Sequence, residues 1–452
     1  MFFGGFKMNR LISRCGFWIV KKFIKDNKQK LKYLFDENAF SRNCEMLFED
    51  YIYYMLNNKG LTTTLELDNY FEEMKGMDVL PISRQDYSKQ RQKFSGDYFK
   101  EMNRQIIKTQ HELNNDVFDK FKDYNVWAID GSQVGLPNSP ITYEEFNIKK
   151  IAMKKPHTPK ARVSILSDVL NGFIIDAQIE ELGIGESKLA WKHINEASKT
   201  MPLNKTIFIF DRYYASVKLM LHILDKNGDF VFRLRSTSFK NQREKMKTDD
   251  EYILINLNNK YLKTINDKDL KQKAEEMGRL KVRIVNITLE NGTVETLLTS
   301  LPPETATKKE LKELYGERWE IEKDYDLLKN KFEIDNFSAK KRINIEQDFH
   351  SHIVVFNLVN EEKLVQQYYL QKNKPHIDSK KLKINNNLLI GKIKKYFLKM
   401  ITTEDEKEQE KISQRITFII QREYIKAVEK IDKTRNNNKN QNKHKITQRR
   451  NH

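Results

Sequence analysis

The sequence predicts a mixed α/β fold, a sheet flanked by helices and bracketed by helical regions at both ends. Three observations predict it. Between about 125 and 235, short apolar runs (VWAID, ARVSILSDV, FIIDAQIEEL, TIFIFD and FVFRLR) alternate with turn signals and with the helical stretches ESKLAWKHINEA and SVKLMLHILDKN. Before about 120 and after about 340, apolar residues instead recur at helical intervals. The order strand, hairpin, helix, strand, helix, strand suits a mixed sheet covered by helices.

Taken in order, residues 1–120 read as helices, among them FWIVKKFIKD, CEMLFEDYIYYMLNN, LELDNYFEEM and DYFKEMNRQIIKTQHELN. Ser83 precedes Asp86 by three, a capping-box-like start for a short helix bearing Arg84, Lys89, Arg91 and Lys93. This resembles the second half of a helix-turn-helix and equally a solvated basic helix. On the first reading the region binds DNA and Arg84, Lys89 and Arg91 contact it. Residues 121–235 form the first part of the central α/β unit, where Asn171 and Gly172 between two strand-like runs signal a hairpin. Residues 236–305, with YILINL and KVRIVNITLENGTVETLLTSL, read as a β-rich insertion with a second Asn-Gly turn at Asn291 and Gly292. Residues 306–345 return to helix in KKELKELYGERWEIEKDYDLLKNKF, and 346–432 stay helical through FHSHIVVFNLVNEEKLVQQYYL and ISQRITFIIQREYIKAVEKI. The tail 433–452 holds Lys433, Arg435, Lys439, Lys443, Lys445, Arg449 and Arg450 with no acidic residue, so disorder and loose phosphate attraction are expected.

With 452 residues the chain has room for about three domains, which excludes a single small binding module. The 81 Lys and Arg outnumber the 63 Asp and Glu, and a net charge of +18 draws such a protein to a polyanion. Only Cys15 and Cys44 are present, too few for a disulfide framework and lacking zinc-site spacing, so a reducing cytoplasm is expected. The apolar run Leu11 to Val20 is broken by Arg14 and closed by Lys21 and Lys22, well short of a bilayer span. No membrane partner is expected.

In YGERWEIEKDYDLLK, Tyr315, Arg318, Glu322 and Lys329 lie three, four and seven residues apart, on one helical face. A helix built only to pack would repeat apolar residues there; this face suits a metal ion at Glu322 with phosphate at Arg318 and Lys329. The competing reading is a solvated helix with an i,i+4 ion pair. Asp130 closes VWAID and Asp211 closes TIFIFD, so two strands deliver carboxylates where the chain turns away. Each alone is an ordinary turn-former or cap. Together with Glu322 they can converge at one sheet edge. Clustered carboxylates repel unless hard divalent ions neutralise them, which points to two Mg²⁺, with Mn²⁺ as substitute, and to in-line phosphodiester displacement.

With those residues in place, the chain resembles DDE transposases of the IS4 family of insertion sequences, which have an RNase H-like catalytic core. The family's Y-(2)-R-(3)-E-(6)-K signature is matched by Tyr315, Arg318, Glu322 and Lys329, its aspartate motifs by AIDGSQVGLP and FIFDRYYAS, and KARVSILSDVLNGFIIDAQI has the family's look. The resemblance covers roughly residues 80–360. It implies Asp130, Asp211 and Glu322 as catalytic metal ligands, and Tyr315, Arg318 and Lys329 as contacts to the DNA backbone near the cleaved end. It further implies cleavage of inverted-repeat ends, transfer of 3′ ends to target DNA, a homodimer in the synaptic complex, no nucleotide cofactor, and a bacterial, cytoplasmic, nucleoid-associated protein. Many members have Gly where this chain has Tyr213, so the turn after Asp211 departs from the pattern. The alternatives are an RNase H-like nuclease without strand transfer and a catalytically inactive DNA-binding derivative.

Other motifs weigh less. His350 and His352 lack a third metal ligand nearby and read as packing or solvent-facing histidines. Gly391-Lys392 resembles the end of a phosphate loop, but Asn386 and Ile393 break the pattern. Trp319 suits core packing better than base stacking. Lys149, Lys150, Lys154, Lys155 and Lys160 form either a DNA track or a solvated run.

Overall fold

A computed structural model describes residues 12–41, 45–148, 158–377 and 382–426. Cys44, Lys149, Lys150, Lys154, Lys155 and the tail 433–452 lie outside the described residues. The N-terminal region contains α1 (Gly16–Lys25), α2 (Asn27–Tyr33), α3 (Phe48–Leu56), α4 (Thr63–Lys75), α5 (Arg84–Gln90) and α6 (Asp97–Asn114). Their apolar faces meet in an aromatic cluster, with the Phe48 ring edge-on to Phe94 and Tyr98 at centroid distances of 5.3 and 5.2 Å.

The centre is a mixed eight-stranded sheet of β1 (Asn125–Gly135), β2 (Lys160–Asp168), β3 (Phe173–Glu181), β4 (Thr206–Phe210), β5 (Asp229–Arg233), β6 (Asp250–Asn256), β7 (Arg279–Thr288) and β8 (Val294–Thr299). The strand order is β3-β2-β1-β4-β5-β8-β7-β6. β1, β4 and β5 run parallel, while β1–β2, β2–β3 and β5–β8 pair antiparallel. The sequence shows why its middle is buried on both faces: Val126, Ala128, Ile207 and Ile209 enter one core, and Trp127, Ile129, Phe208 and Phe210 enter the other. The stretch expected as a β-rich insertion contributes β6 to β8, which extend the same sheet beyond β5.

The β2–β3 hairpin closes as its Asn-Gly pair suggests. Asp168 accepts backbone N–H bonds from Leu170 and Asn171, and Gly172 takes φ +75°, a region other residues rarely adopt. A Cβ there would also come within 2.9 Å of Asn360 Oδ1. On one face lie α8 (Glu186–Thr200) and α9 (Val217–Asp225); short helices α7 (Pro140–Glu145), α10 (Lys240–Arg243), α11 (Asn259–Leu262) and α12 (Lys268–Met277) occupy connections. α13 (Lys308–Gly316) and α14 (Trp319–Asn330) follow β8, and then α15 (Arg342–Asn373), α16 (Asn386–Thr402) and α17 (Glu406–Arg422).

α15 is 32 residues long and buried along most of its length, so it serves as the spine against which α6, α16, α17 and β3 pack. It also covers a sheet edge. Asn357 accepts from the Ile174 backbone N–H at 2.8 Å and donates to the Ile174 carbonyl at 2.8 Å, taking the place of a neighbouring strand. No helix among the described residues is long and apolar enough to cross a membrane.

Candidate active site

The sheet register sets two aspartates side by side. β1 pairs with β4 up to Ile129 opposite Phe210, so Asp130 and Asp211 are the next residues on adjacent parallel strands. β4 ends there, but β1 does not: it continues to Gly135 along β2. Asp130 is therefore a mid-strand residue at the point where one neighbour stops, not the strand-end residue expected from VWAID.

Glu322 arrives on α14, whose entry is preset upstream. Thr307 and Glu310 cap α13 reciprocally, with Glu310 N donating to Thr307 Oγ1 at 3.3 Å and Thr307 N to Glu310 Oε2 at 2.9 Å. The expected single helix is divided: Glu317 and Arg318 form a tightened turn with i→i+3 bonds, Glu317 N to Leu314 O and Arg318 N to Tyr315 O. Tyr315 thus lies in the last turn of α13 and Arg318 at the N-cap of α14, while Arg318 and Lys329 still face β1, at Asp130 and Ser132.

Arg318 joins the acidic groups. Its Nη2 lies 2.9 Å from Glu322 Oε1 and its Nη1 lies 4.0 Å from Asp130 Oδ2. Lys329 Nζ donates to Ser132 Oγ at 2.5 Å, two residues further along β1, and burial lowers its pKa. Tyr315 is buried, its hydroxyl has no partner among the described residues, and burial pushes its pKa up to about 12.

Two residues unforeseen in the sequence complete the arrangement. Tyr325 donates its hydroxyl to the Asp130 carbonyl at 2.8 Å, pinning α14 against β1. Its signal was present, because Tyr325 stands three residues after Glu322 and four before Lys329 on the same helical face. Glu186, the first residue of α8, is the other. It is salt-bridged to Arg162, and Gly131 makes room for it: a Cβ on Gly131 would sit 3.1 Å from Glu186 Cγ. No spacing rule ties ESKLAWKHINEA to Asp130, so only the fold brings Glu186 in.

Asp130 feels this crowding. Burial, followed by the nearby charges of Glu186 and Asp211, raises its pKa to about 6 against the opposing Gly131 N–H and Arg318. Beneath it, the Asp130 carbonyl accepts from Ser164 Oγ at 3.1 Å, Ser164 Oγ lies 2.9 Å from His193 Nε2, and His193 Nδ1 lies 2.6 Å from Asp176. The backbone that carries Asp130 is tied from both sides.

Other candidates fall elsewhere. Arg84 and Lys89 are exposed on α5, whose connection 76–83 is longer than the roughly three- to four-residue turn of a helix-turn-helix. Arg91 is a correction: it is fully buried, with Nη1 2.6 Å from Asp348 Oδ1 and 3.2 Å from the Tyr87 hydroxyl, so no DNA can reach it. Trp319 is a correction in the other direction, 49% exposed rather than packed in the core. His350 and His352 are buried in α15, Gly391 and Lys392 lie inside α16, and Lys160 is exposed at the start of β2.

The donor set Asp130, Asp211 and Glu322 is all oxygen and short of positive charge, which fits a hard divalent cation. Among the described residues, however, no three His, Cys, Asp or Glu side chains are gathered closely enough to hold an ion as they stand. Between Asp130 and Glu322 lies the Arg318 guanidinium, a cation of the protein's own.

A mixed sheet that presents paired aspartates at one edge, with a helical glutamate beside them, defines an α/β protein with an acidic site. Residues 121–358, more than half of the chain, match the family described as transposase DDE domain, and the chain belongs to that family. A solved structure titled as a cryo-EM structure of piggyBac transposase synaptic complex with hairpin DNA is similar over 92% of this chain and 87% of that one, at 12% identity and a TM-score of 0.41. No curated protein matches.

Proposed function

We propose that this member of the transposase DDE-domain family is a DNA transposase of the IS4 type, cutting the inverted-repeat ends of its own element and transferring the 3′ ends to target DNA. The observation that carries this reading is the meeting of Asp130 and Glu322, 192 residues apart in sequence, on the two sides of one guanidinium, with Asp211 beside them. Asp130, Asp211 and Glu322 are the residues to hold divalent metal, and Mg²⁺ bound there would activate the attacking oxygen and stabilise the leaving one. Arg318, now between Asp130 and Glu322, then turns from the carboxylates to the phosphate. Tyr315, with its unpartnered hydroxyl, and Lys329, at the Ser132 end of β1, extend that phosphate-facing side. Exposed Arg84 and Lys89 add outer backbone contacts, double-stranded DNA is the partner, and a homodimer brings two ends together.

The test is to incubate the full chain with Mg²⁺, a labelled duplex bearing the inverted repeat that flanks its gene, and a target plasmid. Cleaved and joined products are expected. Asp130→Asn, Asp211→Asn and Glu322→Gln should each reduce cleavage to background while end binding persists. Cleavage without joining would leave a nuclease, and substantial activity in any variant would remove that residue from the site.

A further inference from the structure

A cleft of about 480 Å³ opens immediately beyond Asp211, lined among others by Arg212, Tyr213, Arg233, Arg235, Arg243 and Glu295. Four guanidiniums in one cleft repel one another unless each has a partner. Two do. Arg243 donates to the carbonyls of Arg235 and Ser236 and to Thr296 Oγ1, and Arg233 Nε lies 3.0 Å from Glu295 Oε1. Glu295, the carboxylate of the cleft, is thereby engaged.

Arg212 and Arg235 are exposed, and no ion pair holds either among the described residues. Tyr213 holds them instead: the Arg235 guanidinium lies 4.3 Å from its ring centroid and that of Arg212 lies 5.4 Å away. A guanidinium packed on an aromatic ring keeps its in-plane N–H donors and its full charge free for an anion. The ring itself is 58% exposed, so it is not there to fill a core. These two cations are oriented but not neutralised.

The cleft adjoins the acidic site through a shared wall. Arg212 and Tyr213 directly follow Asp211, and the buried Tyr315 hydroxyl, without a partner among the described residues, is acted on both by Arg318 and Asp211 of the acidic site and by Glu295 and Arg233 of the cleft. A strand whose phosphate reaches Asp211 must continue past one of the walls, and this one is cationic where the carboxylate edge is anionic. We propose that Arg212 and Arg235, set by Tyr213, grip backbone phosphates of the DNA strand whose phosphate lies at Asp211, on one side of that phosphate. The proposal rests on the transposase reading above.

The test measures binding of the full chain to a labelled random-sequence DNA duplex over a range of salt concentrations, with metal absent so that no cleavage intervenes. Arg235→Gln should weaken binding several-fold and lower the magnitude of the slope of log affinity against log salt by about one, and the Arg212→Gln/Arg235→Gln double variant by more. Tyr213→Leu should weaken binding about threefold with the slope retained, since the charges remain but lose their orientation, and Tyr213→Phe should restore wild-type affinity. Unchanged thermal midpoints check that each variant is folded. Wild-type affinity and slope in both arginine variants would overturn the proposal while leaving the transposase reading intact. Failure of the wild-type chain to bind any DNA would overturn both.

Discussion

Arg91 separates what a basic residue contributes by charge from what it contributes by position. In sequence it belongs with Arg84 and Lys89 on a cationic helix; in the fold it begins a short 3₁₀ turn, Arg91–Lys93, and points inward at Asp348 of α15. The helical period after Ser83 gives no warning, because the turn rotates the next side chain by a different angle from an α-helix. Its carboxylate partner lies 257 residues away, beyond any local pattern. Breaking such a buried pair leaves one charge unpaired in a dry environment, and the cost is roughly 3–5 kcal/mol. Arg91→Ala should therefore lower the unfolding free energy in urea by that amount, whereas exposed Arg84→Ala should stay within about 0.5 kcal/mol of wild type. Equal, small effects would return Arg91 to the surface.

At the scale of elements, the strands β1 and β4 and the helical character of α14 were legible because their signals are local: short apolar runs closed by Asp, and a polar stripe with helical spacing; the parallel pairing of the two strands was not read. That Asp130, Asp211 and Glu322 can converge at one sheet edge is an expectation from the sequence; the register sets Asp130 beside Asp211, and the Arg318 guanidinium stands between Asp130 and Glu322. Three further things were not legible. The continuation of β1 through GSQVG was hidden by its polar and glycine residues, which the long β2 pairing overrides. The joining of 236–305 to the main sheet depends on β5 meeting β8, a contact across more than 60 residues. Glu186 is brought beside Asp130 by the β3–α8 turn and by the bare Cα of Gly131. Orientation of α14 itself rests on Tyr325, whose hydroxyl meets the Asp130 carbonyl and, at 3.4 Å, that of Val163. Tyr325→Phe keeps the ring and removes only this tether, so stability should fall by about 1 kcal/mol. Cleavage of a labelled transposon end should fall more than tenfold, because a small displacement of Glu322 spoils its alignment with Asp130. Retained cleavage would show that ring packing alone sets the helix.

Across the whole molecule, one apolar core links the N-terminal helices, one face of the sheet, and α15 to α17. The seam between the first helix and the spine is polar. Glu361 of α15, 2% exposed, accepts the backbone N–H groups of Cys15 at 2.5 Å and Gly16 at 3.0 Å at the start of α1, and only a glycine at 16 lets it approach so closely. Burial outweighs those donors and raises the Glu361 pKa from its ordinary 4.5 to about 7. The folded protein therefore holds this proton more tightly than the unfolded chain does. The associated stability is fully present below about pH 4.5 and is lost as pH rises through about 7, up to about 3 kcal/mol from this group. Buried Asp324, raised to about 7, and Asp168, raised to about 6, act with the same sign. Urea unfolding should thus show a more stable protein at pH 5 than at pH 8. Glu361→Gln keeps the hydrogen-bond acceptor without the titration, so its loss of stability between those pH values should be smaller than that of wild type by up to about 3 kcal/mol. An identical loss in the variant would mean that Glu361 is already ionised at pH 5 in the folded state, with the α1 backbone donors strong enough to hold the anion against burial.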